Sequence, residues 1–447
     1  MKEDVVELVL AGETMLIAKE YDISIAYLMV PNQFHLTLGT GTSFLALAKR
    51  YPKNTPFALK INGVVQFMGR TDGFERGAGD AAEIRVTGRD RLALLVDDQL
   101  DRDRTFTNAT FDDLARAAIE GVGIKNYELR YDAAAHRKAV TGTPIVEKTT
   151  VTKKVLLDFN QLYAIDSSGF PPGTDLNYAP FDIKDKSEIT VDVTETVSRV
   201  KGYKAERPIE WKVGNSFYQA ANTDFARGGL FLRAGVDPAG KNENIFLLSE
   251  PSAAQEPLFG LVATREEKVE DNVITVSPPV IRDLSTGRHA HYIVRGRTGG
   301  GKDGRKQIEG RFDDQDMIAA GFTTRRVVVD EKVKTTAQAN FFARKLCAEA
   351  RRVNRAFTYT MKHRHTGPLL RDPSQRAILA PDVCVALRDD ENGLYGLFWI
   401  ERVRHRASAN GPTSTEITLM VPDDLVFGDG LFLPGAIPTV LGRKRKT

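Results

Sequence analysis

The residues best placed by type and spacing to do chemistry are Gly296-Arg297-Thr298-Gly299-Gly300-Gly301-Lys302-Asp303. A glycine-rich turn that follows a strand and closes on lysine is the pattern that cradles phosphate on backbone N–H groups. Such a loop also needs Ser or Thr after the lysine to hold magnesium, and it opens into an apolar helix. Here Asp303 follows Lys302 and opposes phosphate, and DGRKQIEGRFDD (303–314) carries no helical stripe. The expectation is a surface loop rather than a nucleotide site. Two His-x-His pairs, His289/His291 and His363/His365, could each aim two rings at one metal, because positions i and i+2 of a strand share a face. A metal site needs a third ligand and a supporting shell, and neither pair has an obvious carboxylate or cysteine partner nearby in the sequence.

Adjacent carboxylates occur at Asp97/Asp98, Asp112/Asp113 and Asp313/Asp314. Neighbours on a strand point to opposite faces, so none of these makes an acid/base pair for glycoside hydrolysis. The chain has no G-x-S-x-G, HExxH or Cys–His signature. The sequence therefore assigns no catalytic residue, no cofactor and no metal ligand, and the expectation is that the chain is not an enzyme. Cys347 falls on a predicted helix and Cys384 in a predicted strand. Both read as buried thilols of a protein made in a reducing compartment. Residues 325–365 hold 11 Lys/Arg against 3 Asp/Glu, a local excess of +8. The bland reading is a solvated helix face. The functional readings are contact with an acidic partner ring or with passing DNA. No aromatic interleaving supports sequence-specific readout.

The elements that would position these groups are mostly strands. With 447 residues, 42% hydrophobic and 27% charged, the chain reads as a folded protein of three or four domains, and a mostly disordered chain is excluded. A net charge of +3 implies no wholesale polyanion binding. No apolar run approaches the ~18–20 residues that span a bilayer, and MKEDVVELVL at the start is acidic and lacks a signal-peptide core. Residues 1–100 read as all-β. The segment 22–30 puts Ile23, Ile25, Tyr27 and Met29 on one face, and Asn62-Gly63 marks a two-residue hairpin turn in FALKINGVVQFMG (57–69). Some six short strands suggest a small barrel or sandwich.

A helix is predicted from Thr110, whose spacing to Asp113 resembles a capping box, with Phe111, Leu114, Ala115, Ala118, Ile119 and Val122 along one face. Burying Phe111, Leu114 and Ile119 is worth ~1.5–3 kcal/mol each, more than propensity supplies. A second helix over 215–229 places Phe217, Ala220, Ala221 and Phe225 near one face, and LFLRA (230–234) with NIFLLS (244–249) reads as a hairpin. Residues 132–210 are β-rich and polar around a Pro/Gly-rich loop at 167–181. A long helix follows Thr335 and Gln338 with a stripe of Ala339, Phe342, Leu346, Ala350 and Val353. Strands over 355–363, 382–388, 394–403 and 415–421 complete the pattern.

The stretch IRVTGRDRLALLVDD (84–98) ends the first β-region in a strand, a glycine break and a short apolar run. It resembles the "V.GRD…LLVD" junction of baseplate hub proteins of contractile-tailed phages, the phage Mu hub-like and late control D family. The helix and hairpin of 215–249 resemble that family's middle domain. Tyr292–Gly296, the basic helix 336–354 and the closing strands resemble its C-terminal barrel. The resemblance implies a mainly-β fold with inserted α/β modules: two tube-type β-barrel domains plus helix-and-hairpin middle domains. The expected division is 1–104 for the first barrel, 105–260 for the α/β middle region with 132–210 as an insertion, 261–428 for the second barrel, and 429–447 as a flexible basic tail.

It further implies a homotrimeric ring that joins a hexameric tail tube to a trimeric spike and lines the channel for genome passage. Expected partners are further copies of the chain, the tail tube or distal tube-initiator protein, the spike or central tip protein, baseplate wedge and tape measure proteins, and DNA in transient non-specific contact. No membrane-spanning segment is expected. The expected place is the virion tail baseplate, after synthesis in the host cytoplasm. The rival readings are a hub of a non-contractile tail or of a phage-derived secretion or injection device, and a tail-associated cell-wall hydrolase.

Overall fold

The structure is a computed structural model that describes all residues except 1–3, 17–19, 29, 39–43, 77–82, 108, 132–142, 158–188, 205–207, 229, 252–255, 264–273, 298–306, 331–332, 334–335, 371, 373, 409–411, 428–430, 433–439 and 442–447. The Pro/Gly-rich loop, the whole of the glycine-rich 299–304 loop and the Thr335 cap lie outside the described residues, as does Met29.

The fold is mainly β. The first block contains β1 (Val6–Leu10), β2 (Glu13–Leu16), β3 (Glu20–Ala26), β4 (Gln33–Leu38), α1 (Phe44–Arg50), β5 (Pro56–Ile61), β6 (Val64–Arg76) and β7 (Ile84–Asp90). Its strands run in the order β3-β4-β7-β6-β5-β1-β2. The predicted hairpin is present: Ile61 pairs with Val64, and Asn62 and Gly63 take φ of 52° and 78°. Alternation sends Leu8, Ile23, Phe34, Leu36, Leu59, Phe67 and Val86 into one core. Tyr27 departs from the expected face. Ala26 and Tyr27 are both buried in succession, so the alternation breaks there, and Tyr27 joins a separate cluster with Phe231, Cys384, Trp399 and Leu425. Gly88 does not break the strand, since β7 alternates through it to Asp90, and the short apolar run that follows is a helix, α2 (Leu92–Asp97).

The middle region contains β8 (Arg104–Phe106), α3 (Phe111–Gly121), β9 (Glu128–Tyr131), β10 (Thr143–Leu157), β11 (Ile189–Lys204), β12 (Ile209–Trp211), α4 (Phe217–Gly228), β13 (Phe231–Ala234) and β14 (Ile245–Ser249). The Thr110 capping box is formed with Asp113 in both directions. Phe111, Leu114 and Ile119 of α3 pack with Phe217, Ala221 and Phe225 of α4 and with Trp211 in one core. Trp211 donates its indole N–H to buried Asp224 at 3.0 Å, which satisfies a polar atom inside that core. β13 and β14 pair antiparallel as expected, and β9 adds in parallel to β14. β10 and β11 form a two-stranded antiparallel ribbon.

The last region contains β15 (Phe259–Ala263), β16 (Ile274–Val276), β17 (Val280–Asp283), β18 (His291–Arg297), β19 (Gln307–Asp313), α5 (Gln315–Ala319), β20 (Arg325–Val329), α6 (Thr336–Asn354), β21 (Arg355–Lys362), β22 (Thr366–Pro368), β23 (Arg376–Ile378), β24 (Cys384–Asp389), β25 (Leu394–Ala407) and β26 (Ser414–Met420). Phe259, Leu261, Tyr359, Leu387, Phe398, Ile400 and Leu419 form its core. A separate three-stranded sheet, β19-β18-β20, carries α6. The buried face of α6 keeps Ala339 and Ala350 of the expected stripe and adds Ala343 and Cys347, whereas Phe342 and Leu346 are half-buried and Val353 is exposed. The cause is close approach. A Cβ on Gly310 of β19 would lie 2.2 Å from the Asn340 backbone nitrogen, so small residues face the sheet. Beyond β26, Leu431–Phe432 pairs with Val426–Phe427, and Val440–Leu441 pairs with Leu394–Tyr395 of β25.

One strand joins the outer blocks. The edge of β25 is divided: Leu394–Trp399 pairs with β24, and Arg402–Ala407 pairs antiparallel with β3. A register shift between Ile400 and Arg402 separates the two uses. The result is a single sheet of 15 strands that runs from the first block into the last.

Candidate functional site

The structure disperses the residues singled out for chemistry. β18 and β19 pair antiparallel with Arg297 opposite Gln307, so residues 298–306 connect two strands rather than a strand and a helix. Gly296 lies at a close approach: a Cβ there would meet the Val333 carbonyl oxygen at 2.2 Å. His291 bonds Asp313 through Nδ1 at 2.8 Å, while His289 packs edge-on against Tyr292. His363 takes φ +67°, which breaks the strand alternation. It is exposed, whereas His365 is fully buried. Among the described residues no three His, Cys, Asp or Glu gather as metal ligands.

The adjacent carboxylates are each engaged in a cap, a hydrogen bond or an ion pair. Asp113 caps α3, and Asp112 accepts from Arg116 one turn on. Asp97 accepts from Arg89, and Asp98 accepts from the Gln99 N–H. Asp313 accepts from Arg311. Asp314 is fully buried between Arg288, at 3.0 Å, and Arg351, at 2.8 Å. Burial works against its charge, yet the bond from Arg351 and the charges of Arg351 and Arg288 hold its carboxyl below the ordinary range. Arg355 extends the cluster to Asp316 at 3.0 Å and to Asp424 at 2.5 Å. The excess positive charge of 325–365 is thus partly spent inside the molecule, pinning α6 to its surroundings. Arg325 and Arg326 on β20 remain exposed. Cys347 and Cys384 are buried free thiols, and burial pushes Cys347 up to about 12.

Paired charges and buried polar groups concentrate at two joints between regions of the chain. The first is built on Gly88-Arg89-Asp90. Gly88 is backed by aromatic rings: a Cβ would meet Phe34 at 2.7 Å and Phe57 at 2.9 Å. Arg89 forks onto Asp72, Nη2 to Oδ1 at 3.0 Å, and onto Asp97, Nη2 to Oδ2 at 2.8 Å. These bonds, that from Asp97 foremost, raise the guanidinium above its usual range. Asp90 accepts the Asn32 N–H at 2.9 Å and the Leu92 N–H at 3.0 Å, so it ties β4 to the start of α2. Burial pushes its carboxyl up to about 7 despite both bonds. Arg91 reaches Asn244 and Arg70 reaches Glu243, which fastens the middle region to this corner. The charges around the 220 Å³ cleft here, among them Arg70, Asp72 and Arg89, are largely paired with one another or with Glu243.

The second joint is the β3–β25 pairing. Arg404 forks onto Asp22 across it, Nε to Oδ1 at 2.6 Å. Beside this pair, Tyr21, His365, His405 and Thr415 form a buried polar cluster. Tyr27, at the end of β3, stacks edge-on against Trp399 and Phe231, and the Arg233 guanidinium lies 4.0 Å over its ring. Three regions of the chain therefore meet at one aromatic knot. The sequence pattern missed these partners because they are far apart in the chain. The available signal was His405, which shares strand parity with Val403 and so falls on the buried face.

No protein-family model matches the sequence, and no curated protein matches it. The fold is shared with solved tail proteins. One is the tail protein from Neisseria meningitidis MC58, with TM-score 0.59, 15% identity, and 94% of this chain and 96% of that chain covered. Another is the 43 kDa tail protein of prophage MuSo2 from Shewanella oneidensis, with TM-score 0.58, 14% identity, and 94% of this chain and 100% of that chain covered. At these identities the likeness is one of fold, and it extends over almost the whole of each chain.

Proposed function

We propose that this chain is a structural baseplate hub of a phage tail. The observation that carries the reading is the near full-length likeness in fold to two proteins described as tail proteins. The junction stretch 84–98 supports it, because Gly88, Arg89 and Asp90 each make a contact that fixes the turn out of the first block. In this reading three copies form a ring. Residues 1–104 and 261–428 are its two tube-type barrels, 105–260 is the middle region, and 429–447 is a tail. Two barrels per copy give six in the ring, which matches a hexameric tube above and a three-fold spike below. The continuous sheet through β3 and β25 is what such a ring needs from one subunit, since it fixes the two barrels relative to each other.

The partners in this proposal are the tail tube or its distal initiator, the spike or central tip protein, the wedge and tape measure proteins, and DNA that passes without sequence-specific contact. An obligate ring of this kind buries more than ~2,000 Å² per interface. Among the described residues no helix is long and apolar enough to cross a membrane. The role is assembly, not catalysis: the purified chain is expected to leave peptidoglycan intact, and turnover abolished by a single carboxylate change contradicts this. The test of the role is deletion of the gene from a tail-producing strain. Tubes on spikes are expected to vanish and to return when the chain is supplied in trans; intact tails without it contradict the reading.

A further inference from the structure

The β3–β25 joint contains a feature that mechanical strength does not require. Two imidazoles, His365 and His405, are both fully buried with ring centroids 4.7 Å apart. Both Nδ1 atoms converge on one hydroxyl, Thr415 Oγ1, at 2.8 and 3.0 Å. That hydroxyl donates its own hydrogen to the Arg364 carbonyl at 2.9 Å. With its hydrogen committed, Oγ1 accepts from both rings, so each carries its proton on Nδ1. His365 Nε2 then accepts from the Tyr21 hydroxyl of β3 at 2.5 Å. His405 Nε2 is buried and makes no hydrogen bond among the described residues. The hydrogen bonds of the cluster suit two neutral rings.

We propose that the His365–His405 pair is an acid-sensitive latch on the β3–β25 joint. A proton on His365 turns Nε2 into a donor facing the Tyr21 hydroxyl. A proton on His405 buries a charge that the Leu379 backbone only partly offsets, and charge on both rings sets two cations side by side. The joint answers by opening, which frees the first block from the last.

The surroundings do not neutralise this. Asp4, ahead of β1, accepts the His365 backbone N–H and favours charge on His365, but burial outweighs it and holds the ring down to about 4. Burial and the neighbouring His365 hold His405 well below the ordinary imidazole range, against a favourable Leu379 backbone. The charges flanking the cluster on β3, β25 and β26 are engaged with each other: Asp22 with Arg404 and Arg406, and Arg406 with Glu416. A depressed imidazole stabilises the folded joint fully above about pH 6.5 and ceases to do so as pH falls towards about 4.

The test is amide hydrogen exchange of the full chain, corrected for intrinsic rate, with peptides from 20–26 and 394–407 compared between pH 7 and pH 4.5. Protection in both is expected to fall at least about tenfold, the equivalent of one pKa unit of linkage. His405→Leu, alone or with His365→Gln, is expected to remove most of that fall, and His363→Gln to leave it unchanged. An equal fall in the variants and the wild type overturns the proposal. Should the variants not fold, the wild-type imidazoles read by NMR decide the matter. Titration of both rings near 6.5 without loss of protection overturns the latch, and titration well below 6.5 together with opening of the two peptides supports it.

Discussion

Arg404 on β25 and Asp22 on β3 meet as a forked ion pair although 382 positions separate them. The pair spans the place where the last region of the chain is hydrogen-bonded to the first. Arg404 thus does more than shield a surface strand; it holds register where one edge of β25 changes partner.

The pair is only partly sheltered, with side-chain exposures of 37% and 30%, so its worth is modest. A double-mutant cycle with Arg404→Ala and Asp22→Ala is expected to give a coupling of ~0.2–1 kcal/mol in urea denaturation. A coupling of zero would mean that register is held by the backbone ladder and the Tyr27–Trp399 contact alone.

Asp314 is a different case. Its carboxylate is fully buried between Arg288 and Arg351. Asp314→Ala leaves two guanidinium groups without their shared counter-ion, and the expected loss is ~3–5 kcal/mol of unfolding free energy. A loss below ~1 kcal/mol, read from the same denaturation curves, would show that water or a neighbour such as Asp316 replaces the carboxylate.

Gly310 tests why the buried face of α6 is made of small residues. Gly310→Ala drives a methyl group into the backbone at Ala339 and Asn340, which cannot swing aside as a side chain can. The expected cost is ~1–3 kcal/mol, larger for Gly310→Val. Wild-type stability in Gly310→Ala would mean that the helix can move off the sheet at little cost.

Asp90 should shape the pH dependence of stability. Burial raises its carboxyl from 3.8 to about 7. A raised acid stabilises most below its unfolded value and loses that contribution as pH climbs through its folded value. The difference in stability between wild type and Asp90→Asn is therefore expected to fall by on the order of 2 kcal/mol from pH 5 to pH 8. A difference that stays level across that range contradicts the burial argument. This trend runs opposite to that of the histidine pair, so the two are separable by variant.

Local patterns were legible in the sequence because they are local. Thr110 and Asp113 are three residues apart, and both bonds of the capping box are present. Asn62-Gly63 fixes its turn through backbone dihedrals alone. The buried face of α4 is the expected Phe217, Ala220, Ala221 and Phe225. Failures came where packing overrode pattern. Val353 continues an apolar stripe yet is 63% exposed, because the sheet beneath α6 selects alanine and cysteine. β19 escaped notice because Gly310 and four charged or amide residues obscure a strand that buries Ile308. Of the joints, Gly88-Arg89-Asp90 was visible as a resemblance that also holds Asp97, but the Arg89–Asp97 pairing and the partners Asp72 and Asn32 were not. His405 lies 40 positions from His365, and only tertiary folding brings the two rings together.

The most direct measurement is a symmetry-resolved image of the assembled particle. The proposal predicts three copies on the tail axis between tube and spike, each supplying two similar strand barrels to one six-membered collar. This chain found away from the axial channel, or contributing a single barrel per copy, would contradict it.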